Sequence, residues 1–155
     1  MINVELVEAL KEELEKLFNE DKVVNDYDTK FEKVKRPKIN TGWYTQKVDK
    51  EDFPYVLISP VDQVENGDKT TVNLTLIFGV YSKDVENGWK DVALLAEKVR
   101  HYLKTHKFLA KKYEINQDLR IEYPDDQPYP IYFCAMSVSF NIYNQYNYEG
   151  GELTW

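Results

Sequence analysis

A chain of 155 residues fits one domain with room for a sizeable core, and 43% hydrophobic beside 30% charged residues excludes a disordered chain. The net charge of −7 argues against a general affinity for nucleic acid and is read as simple solubility. No apolar run reaches bilayer-crossing length, the N-terminus lacks the basic-then-apolar order of a secretory signal, and the single cysteine admits no internal disulfide, which suits a reducing compartment.

The first predicted element is a helix over residues 4–18. Leu6, Val7, Leu10, Leu14, Leu17 and Phe18 follow the helical period, and Asn3 suits its N-cap. Glu5, Glu8, Glu12 and Glu15 make the outer face mainly acidic, so the stripe reads as a core face and not a membrane anchor. Residues 25–52 read as an irregular, loop-rich segment. Pro37 and Gly42 interrupt it, Lys35-Arg36-Pro37-Lys38 makes it locally basic, and Trp43-Tyr44 adds two large aromatics beside a glycine. Those aromatics either anchor the loop on its own domain or dock on a neighbour.

Residues 53–60 form a short apolar run bounded by prolines, as at a strand end or edge. Asn66-Gly67 then predicts a tight hairpin with positive φ at both central residues, pairing residues 55–64 with 69–81. From Thr70 to Tyr81, Val72, Leu74, Leu76, Phe78 and Val80 occupy alternate positions. From Ile131 to Tyr143, Tyr132, Cys134, Met136, Val138, Phe140 and Ile142 do the same. Each run is a long strand with one apolar face. Between them, residues 88–105 read as a helix with Val92, Leu95, Ala96, Val99 and Leu103 on one face, and residues 119–123 as a further strand. Asp125-Asp126 and Gln127-Pro128-Tyr129-Pro130 read as the turn into the last long strand. The tail, residues 144–155, holds Gly150-Gly151 and the aromatics Tyr146, Tyr148 and Trp155 without a burial pattern.

These elements predict an α+β fold: a single, mainly antiparallel, mixed sheet with two amphipathic helices on one face. They display no phosphate loop, nucleophile elbow or zinc-ligand spacing. His101 and His106 are five apart, a spacing that does not align two ligands on a helix, and Cys134 falls on an apolar strand face. The expectation is therefore no catalytic site, no cofactor and no metal.

The order of features resembles the tail terminator and tail-completion (head–tail joining) proteins of long-tailed bacteriophages of Gram-positive hosts. The residues that carry it are Phe53-Pro54-Tyr55-Val56-Leu57-Ile58, Thr71 to Tyr81, Asn87-Gly88-Trp89-Lys90-Asp91-Val92 and Gln127-Pro128-Tyr129-Pro130. Lys35-Arg36-Pro37-Lys38-Ile39 and Gly42-Trp43-Tyr44 stand in front of them. The resemblance covers most of residues 35–143. It implies a structural protein of the virion, present in the host cytoplasm during assembly. Such a protein forms a homo-oligomeric ring, typically a hexamer, that stops tail-tube polymerisation and presents the surface that joins the head. Its partners would be tail-tube and head-connector proteins, with no sequence-specific nucleic acid and no membrane. Trp43, Tyr44, Gln127, Pro128, Tyr129, Pro130, Tyr146, Tyr148 and Trp155 are the candidate assembly contacts, because rigid aromatics and fixed backbone supply area at low entropic cost. A cytosolic enzyme or small-ligand-binding α+β domain is the alternative.

Overall fold

The computed structural model describes residues 2–19, 36–43, 50–143, 145–147 and 152–154. Helix α1 (Ile2–Asn19) is followed by strands β1 (Lys38–Thr41), β2 (Tyr55–Asn66) and β3 (Lys69–Tyr81), with a 3-10 turn at Lys50–Asp52 before β2. Helix α2 (Gly88–Thr105) precedes β4 (Phe108–Leu109), β5 (Tyr113–Ile115), β6 (Arg120–Glu122) and β7 (Ile131–Tyr143). A separate hairpin of β8 (Gln145–Asn147) and β9 (Glu152–Thr154) ends the described chain.

The main sheet runs β1-β2-β3-β7-β5-β4, with β6 also on β7. Every pairing is antiparallel except β1 on β2, and the sheet curls strongly into a half-barrel. The fold is thus α+β with a mixed, mostly antiparallel sheet, as the alternation and the two helical stripes predict.

Parity explains the layers. β3 and β7 pair without interruption from Lys69↔Tyr143 to Tyr81↔Ile131, so even residues of both strands share one face. Val72, Leu76, Phe78, Met136 and Phe140 on that face are fully buried. They join Leu6, Leu10 and Leu14 of α1 and Val92, Ala96, Val99 and Leu103 of α2 in one core. Both helices cover this face because each has a single apolar stripe to bury.

The opposite face is divided. At one end Phe53, Tyr55 and Leu57 form a second apolar cluster with Ile77, Tyr81, Ile131 and Phe133 packed on it. Towards the other end it is polar: the Thr71 hydroxyl donates to Asn141 Oδ1 (2.8 Å), Ser139 donates to Asn73 Oδ1 (2.6 Å), and the Asn73 amide donates to Asp62.

Four local features depart from the sequence reading. Residues 25–52 are not irregular throughout, because Lys38–Thr41 adds a parallel strand to β2 and buries Ile39. The hairpin turns on Gly67-Asp68, since Asn66 pairs with Lys69. Only Gly67 there has positive φ, +56°, the glycine-first pattern of a II′ turn and not the Asn-Gly I′ pattern. A bulge between Pro60 and Asp62 shifts the β2–β3 register by one residue, and β2 is exposed from Val61 to Asn66. Lastly, residues 145–147 and 152–154 of the tail pair as a hairpin.

One close approach fixes the second cluster. The Tyr55 ring lies over its cross-strand partner Gly79, where a Cβ would stand 2.5 Å from Cε2. Phe53 at 5.1 Å and Phe133 at 6.3 Å between ring centroids hold that ring in place, so it has little room to yield. Gly79→Ala is therefore expected to destabilise the fold by about 1–3 kcal/mol, read as a lower urea midpoint. An unchanged midpoint would contradict this packing.

Candidate functional site

The outer edge of β7 organises the surface around the Gln127–Pro130 turn. β6 covers that edge at Ala135–Ser137 and β5 covers it at Phe140–Asn141, and the Asn116 amide donates to Ser139 O (3.0 Å) between them. At Phe133 a side chain replaces a strand. Gln127 Oε1 accepts from Phe133 N (2.7 Å), and Gln127 Nε2 donates to Phe133 O (3.1 Å) and to Pro124 O (2.7 Å). A side-chain amide carries the same donor and acceptor as a peptide group, so Gln127 extends the ladder by one rung.

The rest of the turn is held from both sides. Ile131 N donates to Pro128 O (2.8 Å), Ser82 N to Pro130 O (2.8 Å), and the Tyr129 hydroxyl to Lys83 O (3.2 Å). Tyr129 nevertheless leaves 55% of its surface exposed. Tyr129-Pro130 and Phe53-Pro54 are cis.

Beside this turn is a hollow of about 320 Å³ lined by Trp89, Val92, Tyr123, Pro124, Gln127 and Phe133. Its wall is almost wholly apolar in character. Trp89 belongs to the α2 stripe by spacing, yet it is half exposed. In the first turn of a helix a side chain leans towards the N-terminus, here past Gly88, where a Cβ would stand 2.4 Å from the Tyr132 ring. The loop ahead of α2 is organised by Asp84. Its carboxylate accepts from the backbone of Glu86 and Asn87 (3.1 Å each) and from the Asn87 side chain (3.1 Å). The Asn87 side-chain bond is the main reason its carboxyl lies below its ordinary range. Burial raises Asp91 in the next turn, with the Asp84 charge adding to it.

The candidate contacts do not converge on one place. Trp43 follows Gly42 just after β1, is 65% exposed, and sits beside β2, where Gly42 N donates to Ile58 O (2.9 Å) and Ser59 Oγ donates to Gly42 O (2.6 Å). β2, β3 and β7 separate it from the Gln127–Pro130 turn. Tyr146 lies in β8, opposite Leu153 of β9. Tyr44, Tyr148 and Trp155 lie outside the described residues, as does Lys35 of the basic Lys35–Lys38 run. Sequence reasoning missed the half-exposed Trp89, Tyr123 and Phe108; the signal for Tyr123 and Phe108 was an aromatic beside charged residues in a short connection.

His101 and His106 are both on the surface at the far end of α2, where His106 stacks on Tyr102 (4.1 Å) and its Nδ1 bonds Tyr102 O (2.8 Å). Tyr102 is pushed up to about 12 by burial and by Glu13. Cys134 is 1% exposed beneath Val92, and burial pushes its thiol up to about 12. Among the described residues no three His, Cys, Asp or Glu side chains gather as a metal site. An open groove of mixed lining crosses the sheet between Asp62, Asn73, Ser137 and Arg120. No protein-family model matches the chain, and no curated protein matches it.

Two outcomes follow from this geometry. Gln127→Ala leaves the Phe133 amide and carbonyl without their partner, so a loss of about 1–3 kcal/mol is expected, with faster hydrogen exchange at Phe133. Exchange as slow as in the parent would contradict the side-chain rung. Cys134 should resist alkylation at pH 8 in the folded protein and react only as the chain opens, because the nucleophile is the thiolate and access is closed. Rapid labelling without unfolding would contradict its burial.

Proposed function

We propose that this chain is a structural protein of phage assembly. It caps the tail tube as a ring and presents the surface that joins the head. The ordered sequence resemblance over residues 35–143 supports this reading. An α+β fold with two helices on one sheet face accords with what that resemblance implies. The observation that carries most weight is the contrast between a closed core and several large apolar side chains outside it. Trp43, Val61, Val85, Trp89 and Tyr129 are each at least half exposed, although 28 of the described residues pack into the main buried cluster. Scattered apolar residues need no partner. Aromatics held on fixed backbone beside an apolar hollow suit contact with other chains.

A cap requires rigidity, two different faces and a self-complementary contact that closes. The uninterrupted β3–β7 ladder supplies rigidity. The divided outer face, apolar at one end and polar at the other, supplies two chemically distinct surfaces. The acidic balance of the chain would let DNA pass a bore without adhering, through like-charge repulsion.

In a phage carrying this gene, its deletion should give overlong tails or tails that fail to join heads. Trp43→Ala with Tyr44→Ala should impair joining while the purified variant keeps the parent's thermal midpoint. Normal-length, attached and infectious tails in the deletion would refute the proposal.

A further inference from the structure

Charge is segregated along α2. Residues 98–112 contain Lys98, Arg100, Lys104, Lys107, Lys111 and Lys112 with no aspartate or glutamate, in a chain whose net charge is −7. Residues 118–126 hold Asp118, Glu122, Asp125 and Asp126 against Arg120 alone. Lys107 and Lys111 lie at one end of the molecule and Asp125 and Asp126 at the other, while the two groups adjoin where Lys104 donates to Gln117 O (2.6 Å) beside Asp118. α2 begins where Gly88 packs on Tyr132 at the start of β7. It ends beside β4 and β5, which reach Phe140 and Asn141 near the finish of β7. Its 18 residues span about 27 Å.

Each end also carries an apolar feature, and the two are complementary in form. At the basic end Phe108 projects with 45% of its surface exposed, across the strands from Glu114 and with the Lys107 ammonium 5.7 Å from its ring centroid, while Lys112 is paired with Glu5. Lys111 lies in the adjoining β4–β5 turn, which its φ of 60° and that of Ala110, 52°, make tight. At the acidic end is the hollow between Trp89 and Tyr123, with room for one aromatic ring. Exposed Asp125 and Asp126 lie in the chain between Pro124 and Gln127 of its wall, and exposed Glu122 precedes Tyr123.

We infer that two copies of this chain dock head-to-tail, with Phe108 of one copy entering the Trp89–Tyr123 hollow of the next and Lys107 and Lys111 facing Asp125 and Asp126. A knob on one end and a hole on the other make the contact heterologous, so it repeats from copy to copy and closes if the rotation allows. Opposite charges around a buried aromatic anchor supply orientation and a faster encounter, while the anchor supplies most of the affinity. The inference rests on the ring reading for closure. The pairwise contact stands on the two surfaces.

The test is the solution mass of the purified full chain, by light scattering over a concentration series at low salt and again at about 1 M salt, where the Debye length is about 3 Å. The parent should exceed monomer mass at low salt and dissociate at high salt. Phe108→Ala should weaken association about tenfold or more. Lys107→Glu with Lys111→Glu should give a monomer, as should Asp125→Lys with Asp126→Lys. Mixing those two variants should restore association, because the two reversed ends match each other and the two unreversed ends match as in the parent. Circular dichroism identical to the parent's would show that each variant is folded. A Phe108→Tyr variant that keeps association would support the ring-in-hollow contact if Phe108→Ala proved unstable. A parent that stays monomeric at every concentration, or charge reversals that leave its mass unchanged, overturns the inference. So does a basic end whose reversal abolishes binding to DNA but not self-association. None of these results bears on whether the gene is needed to finish tails, so this contact can fail while the capping role survives.

Discussion

The uninterrupted pairing of β3 with β7 is the constraint from which the remaining architecture follows. Thirteen consecutive pairs fix the parity of both strands, and a slip of one residue would turn Val72, Leu76, Met136 and Phe140 from the core to the outer face. Because the even face is apolar from Val72 to Val80 and from Tyr132 to Ile142, it needs a cover wider than one helix, and α1 and α2 supply it together. The other long edge of β7 is then covered piecewise by β5, Asn116, β6 and finally the Gln127 amide. Residues 113–127 thus act as one interrupted strand, and its interruptions leave the hollow beside Trp89.

Much of this was legible in the sequence. The alternation in residues 70–81 and 131–143 located the central strands and their buried face, and the stripes of both helices located their cover. β1, β4 and β5 were not legible. They are four, two and three residues long, too short for a period to show, and they are strands because a longer neighbour offers them an open edge. The turn at Gly67-Asp68 was misplaced by one residue. Asn-Gly is the stronger local signal, but the register imposed by the β2–β3 ladder decides which two residues turn.

The candidate site was less legible, for a physical reason. Gln127 stood out as part of a proline-flanked turn, yet its amide is occupied by Phe133. Its contribution is to hold Tyr129 and the hollow's wall in place. Trp89 has the spacing of a core residue yet is half exposed, lining the hollow with Tyr123 and Phe133. The hollow gathers the start of α2, the segment after β6 and the start of β7, which only the folded sheet brings together. A net charge of −7 concealed a basic end, since totals do not report segregation.

The proposed capping role is tested most directly by electron microscopy of the purified protein mixed with tail tubes whose genes neighbour its own. The proposed role predicts a closed ring of this chain at one end of each tube, with tubes so capped no longer growing when tube subunits are added. Tubes that bind none of the protein, carry it along their length, or keep growing with it attached would contradict a tail cap.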